Sequence, residues 1–184
     1  MVRSAWASAI TASRNCSCAD VPLRLSKIVM VAALALLISL VALGNITDYG
    51  TNFSFVRHVL AMDTIFPDSG IHYRAIASPL LQHSAYVLII AVQVITAALC
   101  WVGMWRMWRR RHAPAALFQR SKGLAVMGLS SGVALWLVGF MAIGGEWFGM
   151  WMSSQWNGIE TSFRLVALLL GALIYLGQRE AEPE

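Results

Sequence analysis

Residues 28–43 read IVMVAALALLISLVAL, a run from Ile28 to Leu43 without one charged side chain. In lipid every backbone polar group must be satisfied within the chain, and a helix does this alone. A hydrocarbon core takes about 20 residues of helix. Leu25 and a snorkelling Lys27 extend the run to that length. The same pattern returns at Ala85–Met104 and at Leu124–Ile143, both free of charge. Leu165–Leu176 is shorter, and reaches spanning length when begun near Thr161 and ended near Gln178. Spans are expected at about 25–44, 80–106, 123–144 and 161–178, as an all-α, four-helix transmembrane bundle. A cleaved signal peptide is the alternative for the first run. Its exit, GNITDYG, lacks a clean small-residue cleavage pattern, which favours an uncleaved span.

Composition agrees. Of 184 residues, 58% are hydrophobic and 12% charged, against about a quarter charged in soluble domains. One membrane domain over 21–178 is expected, with a short tail at 179–184. Residues 1–20, rich in Ser, Ala and Cys, read as a disordered tail or as lying upstream of a start nearer Val21. Cys16 and Cys18 offer too few ligands for a metal clip. The net charge of +5 sits beside the apolar runs, as juxtamembrane anchors do, so nucleic acid is not an expected partner. Eleven of the fourteen Lys and Arg fall in the N-terminal tail, the middle loop and the C-terminal tail; only Arg57, Arg74 and Arg164 fall in the other two loops. The positive-inside rule then puts both termini in the cytoplasm.

Lipid removes the usual hydrophobic drive between helices, and close packing through small residues replaces it. The third span carries Gly128-x-x-x-Gly132 and then Gly139; the fourth offers Ala167-x-x-x-Gly171 and the first Ala35-x-x-x-Ser39. Gly128 and Gly132 serve either an internal contact or a homo-oligomer. Gln93, Thr96, Cys100 and Gly103 share a face of the second span. Gln93 reads as an interhelical hydrogen bond ahead of a ligand contact.

The two outward loops are unusually detailed. The first is too long for a simple connector. Helical spacing of Phe53, Val56, Val59, Leu60 and Phe66 predicts a short amphipathic interfacial helix over 53–66. Asn52 is its candidate cap and Pro67-Asp68-Ser69-Gly70 its stop. Ser78-Pro79 reads as the N-cap and first turn of the second span. In the second loop, Trp147, Trp151 and Trp156 suit headgroup level. Glu146 and Arg164 are expected to pair with each other or with Arg57 or Asp63. Arg57, His58, Asp63, His83, Glu146, Trp147, Trp151, Trp156 and Arg164 are therefore the candidate interaction residues of one face.

The chemistry that would make an enzyme is missing from the pattern. A haem between spans needs facing axial ligands, and His58, His72, His83 and His112 all lie away from mid-span. Ion-coupled transport places ionisable residues inside the membrane, and no predicted span centre holds one. No nucleophile elbow, zinc motif, phosphate loop or dinucleotide fingerprint occurs. No cofactor and no catalytic residue are expected.

The segments NITDYGTNFSFVRHVLAMDT (45–64), YRAI (73–76) and GGEWFGMWMSSQWNG (144–158), with Phe163-Arg164, resemble a bacterial family of predicted small integral membrane proteins of unknown function. The resemblance covers about residues 22–178 and leaves out the first twenty. It implies a four-span bacterial inner-membrane protein with a distinctive outer cap, and it transfers no catalytic role. The leading expectation is a non-enzymatic accessory or interaction subunit whose cap meets another membrane or periplasmic protein. The alternatives are a binding module for a lipophilic ligand such as a quinone, using Gln93, His83 and the outer tryptophans, or a small facilitator or channel.

Overall fold

The computed structural model describes residues 20–180, so the expectations for residues 1–19 and 181–184 lie outside it. Helix α1 runs Asp20–Thr47, α2 Tyr49–Ala61, α3 Pro79–Arg109, α4 Ala115–Ser121, α5 Gly123–Ala134 and α6 Ile159–Gly177. A π-helical segment, Leu135–Trp147, continues α5. Single 3-10 turns occupy His72–Arg74 and Met150–Met152, and no strand occurs among the described residues.

Four of these helical stretches are long and apolar enough to cross a membrane: Val21–Thr47, Pro79–Arg109, Ala115–Trp147 and Ile159–Gly177. The fourth is 19 residues long, close to the usual spanning length of about 20. Neighbours in sequence are neighbours in space. Helix α1 packs on α3, α3 on α5, and α5 with its π-helical continuation on α6, which also touches α1. The result is an antiparallel four-helix bundle.

Small residues set the crossings. A Cβ on Gly103 would stand 2.4 Å from the backbone nitrogen of Ala125, so α3 and α5 meet almost backbone to backbone. Gly128 faces Cys100, and Gly132 faces Leu169 and Thr96. Both are buried inside the chain, where they pack against α3 and α6. Ala167 and Gly171 are exposed, against the expected internal contact. The polar face of α3 turns inward as read: Gln93, Thr96, Cys100 and Gly103 are all buried. Thr96 donates to the Ser131 hydroxyl at 3.0 Å.

The first loop does contain a helix, but it is α2 at Tyr49–Ala61, shifted toward the N-terminus of the expected 53–66. Asn52 does not cap it. Its amide donates back to the Gly44 and Asp48 carbonyls and ties α2 to the end of α1. Helix α2 ends at Met62, in the left-handed conformation at φ 53° and buried. Beyond it, Met62, Ile65 and Phe148 form a small second core joining the two loops of this end. Gly149, at φ 67°, makes the turn that brings Phe148 into that core; a side chain there would be strained and would press on Met152 and Ile71. Pro79 takes the first position of α3, while Ser78 makes no side-chain capping bond.

The opposite end holds a correction. Lys27 does not snorkel. It is fully buried, with Nζ 2.6 Å from Glu180 Oε1 and 3.1 Å from the Gln178 carbonyl. Lys122 Nζ lies 2.6 Å from the same oxygen, and Arg24 Nε stands 3.6 Å from Oε2. Arg24 also donates to the carbonyls of Arg111 and Ala113. A paired carboxylate within reach replaces the water a lysine would otherwise seek.

Candidate functional site

The bundle leaves open space beside α2. A chamber of about 310 Å³ lies among all four spans there. Its apolar wall includes Phe55, Trp136 and Phe140, and its polar groups include Asn45, Gln93 and Ser162. A second cleft of about 200 Å³, almost wholly apolar, runs between α3 and the π-helical segment. Phe55, Val56, Ile89 and Phe140 line both, so the two spaces share a wall.

Helical register explains the polar side. Tyr86 and Gln93 are seven residues apart on α3 and face the same way. Tyr86 donates its hydroxyl to the Asn45 carbonyl at 3.0 Å. The Asn45 amide donates to Gln93 Oε1 at 2.8 Å. Gln93 is thus the interhelical bond expected of it. Its residue is 2% exposed, yet among the described residues its Nε2 donates to nothing. Lining the chamber, it is placed to bond whatever enters. Ser162, also a buried residue, lines the same space, and its hydroxyl makes no hydrogen bond among the described residues.

An aromatic group adjoins the chamber through Tyr86. Phe53 stacks on His83 with ring centres 3.9 Å apart, and Tyr49 meets Tyr86 edge-on at 4.8 Å. The Tyr49 hydroxyl lies 2.8 Å from His83 Nδ1. His83 is therefore a member of this group and does not line the chamber.

The other candidate residues fall into separate groups. Arg57, His58, Asp63 and Trp156 come together. His58 stacks on Trp156 at 4.6 Å, and its Nδ1 is 2.7 Å from Asp63 Oδ2. Arg57 donates to His58 Nε2 at 3.3 Å, which leaves Nδ1–H as the donor to Asp63. Trp147 lies under the Arg74 guanidinium at 4.4 Å, and Trp151 meets Phe66 edge-on. The expected pairing of Glu146 with Arg164 does not form. Arg164 pairs with Glu160 one turn back along α6, and Glu146 is exposed with no ion pair among the described residues. The i,i+4 spacing on one helix brings Glu160 to Arg164 without any help from the loop fold.

Several contributors carried weaker sequence signals. Asn45 was visible as a lone amide near the end of the first run. Tyr86 was visible at seven-residue spacing from Gln93. Trp136 and Ser162 gave no signal, since each is ordinary in an apolar span.

Four apolar helices that pack through glycines and bury their few polar side chains against one another define a small integral membrane protein. The chain belongs to the family described as predicted small integral membrane protein (DUF2165), whose model matches residues 23–179. No curated protein and no solved structure matches it.

Proposed function

We propose that the chain is a non-enzymatic, membrane-embedded binding module for a lipophilic ligand with a hydrogen-bond-accepting head. One observation carries this: a chamber among the four spans, adjoining an apolar cleft, whose wall holds the Gln93 amide, a donor with no partner among the described residues. Ligand sites are typically apolar cavities with a few placed polar groups, and this space has that character. The apolar cleft suits a hydrocarbon or isoprenoid tail. Gln93 Nε2 and the Ser162 hydroxyl suit a carbonyl head, as in a quinone. The reading displaces the accessory-subunit expectation because much of the cap's aromatic chemistry is engaged within the chain. The basic ends of the spans support a bacterial inner membrane with both termini cytoplasmic and the cap on the periplasmic side.

Solvent extraction of the purified chain tests the proposal. It requires about one apolar, carbonyl-bearing compound per chain; an extract holding only bulk phospholipid contradicts it. A second reading, attachment of the cap to a protein partner, rests on Trp147 and Trp151, which are exposed beside the unpaired Glu146. It requires a co-purifying protein that Trp151→Ala releases.

A further inference from the structure

The basic end carries its own cavity, of about 550 Å³, lined by Arg106, Arg109, Arg110, Leu117, Arg120 and Ser121. Arg106, Arg109 and Arg110 stand at i, i+3 and i+4 in the last turns of α3 and share one face. A turn closed by the Ala113 amide on the Arg110 carbonyl folds α4 back, and its last turn brings Arg120 to the same cavity. All four arginines are exposed, and none makes a side-chain hydrogen bond or ion pair with another described residue.

Their neighbours are placed differently. Arg24 is buried against backbone carbonyls and Glu180. Arg111 lies over the Trp108 ring at 4.1 Å and donates to the Trp108 carbonyl. Glu180 is engaged by Lys27 and Lys122. A general excess of positive charge at one membrane face accounts for arginines near a span end. It does not account for four guanidinium groups, none bonded to a described residue, converging on one concave space. Like charges so placed repel, and an anion between them reverses the sign of that energy.

We propose that this cavity binds a phosphate-bearing anion, either the headgroup of an anionic lipid or a soluble phosphate compound. The guanidinium fork matches phosphate oxygens two at a time. Leu117 adds an apolar edge, and the exposed Trp105 and Trp108 mark the adjoining turns of α3 as a headgroup-level surface. The site lies at the other end of the bundle from the chamber and is independent of the ligand proposed there.

The full chain in mild detergent, stripped of lipid, is titrated with phosphatidic acid, with phosphatidylcholine of the same chains, and with pyrophosphate, and binding is counted by native mass spectrometry. The expected result is saturable binding of about one phosphate-bearing molecule per chain. The triple variant R106Q/R110Q/R120Q weakens it at least about tenfold, one charge-assisted hydrogen bond or more. The matching lysine variant restores only part, because lysine keeps charge and loses the fork. R57Q/R164Q, which removes charge at the other end, leaves binding within about twofold. Tight phosphatidic acid that pyrophosphate does not displace identifies a lipid headgroup; tight pyrophosphate identifies a soluble ligand. No saturable binding of either overturns the proposal, and so does equal loss in R57Q/R164Q.

Discussion

At the scale of single residues, the structure separates glycines that look alike in the sequence. Gly103 and Gly171 both sit in apolar runs. A methyl on Gly103 would collide with the Ala125 backbone at 2.4 Å, whereas a methyl on Gly171 meets nothing within 4 Å. Gly103→Ala should therefore cost about 1–3 kcal/mol through overpacking, while Gly171→Ala leaves stability unchanged; thermal unfolding in detergent compares them. Glu180 gives a pH prediction. Burial raises its carboxyl, but the hydrogen bonds and charges of Lys122 and Lys27 outweigh burial and hold it below the ordinary 4.5. A carboxyl depressed in the folded state stabilises fully above its unfolded value and loses that contribution as pH falls through the folded one. Melting temperature should thus hold above about pH 5 and drop below pH 4.5. Glu180→Gln should lack that acid-side loss and be less stable at neutral pH by about 3–5 kcal/mol, as for a broken buried pair. Lys27 misled the sequence reading because its partner lies at the far end of the chain, where pattern says nothing of proximity.

At the scale of elements, the spans were legible and their internal geometry was not. Uncharged runs and Pro79 marked four helices, and the observed bounds enclose or closely match the expected ones. Hydropathy does not distinguish an α-helix from a π-helix, so Leu135–Trp147 passed as an ordinary span. Its i→i+5 bonding is rare, and π-helical turns concentrate at functional sites. Here Trp136 and Phe140 of the segment line the chamber, and Gly139, Phe140 and Gly144 line the cleft. Local opening should be easier where bonding geometry is poorer. Hydrogen exchange in detergent is expected to be faster over residues 135–147 than over Gly123–Ala134; equal protection would show the π geometry to be as firm as α. Helix α2 was found by periodicity and misplaced at both ends. Asn52, which looked like its cap, reaches back to α1, and a donor and an acceptor at a helix start are indistinguishable in sequence.

At the scale of the whole molecule, charge and polarity divide the bundle. One end holds nine described cations around a single described interior carboxylate, Glu180, counting Lys27, Lys122, Arg24, Arg106, Arg109, Arg110, Arg111, Arg120 and Arg179. The other end holds the chamber and, beside it, the aromatic group of Tyr49, Phe53, His83 and Tyr86. That division was legible as a count of Lys and Arg. The chamber was not, because residues of five helical stretches far apart in sequence line it. Gln93 was singled out for its amide, and its free donor became visible only once Asn45 was seen to take its oxygen. The most direct test of the proposed binding is the native mass of the chain extracted in mild detergent, wild type beside Gln93→Leu. One small lipophilic mass is expected on the wild-type chain, lost from Gln93→Leu and kept by Trp151→Ala. A bare wild-type chain, or a mass that Gln93→Leu retains equally, would contradict the proposed binding.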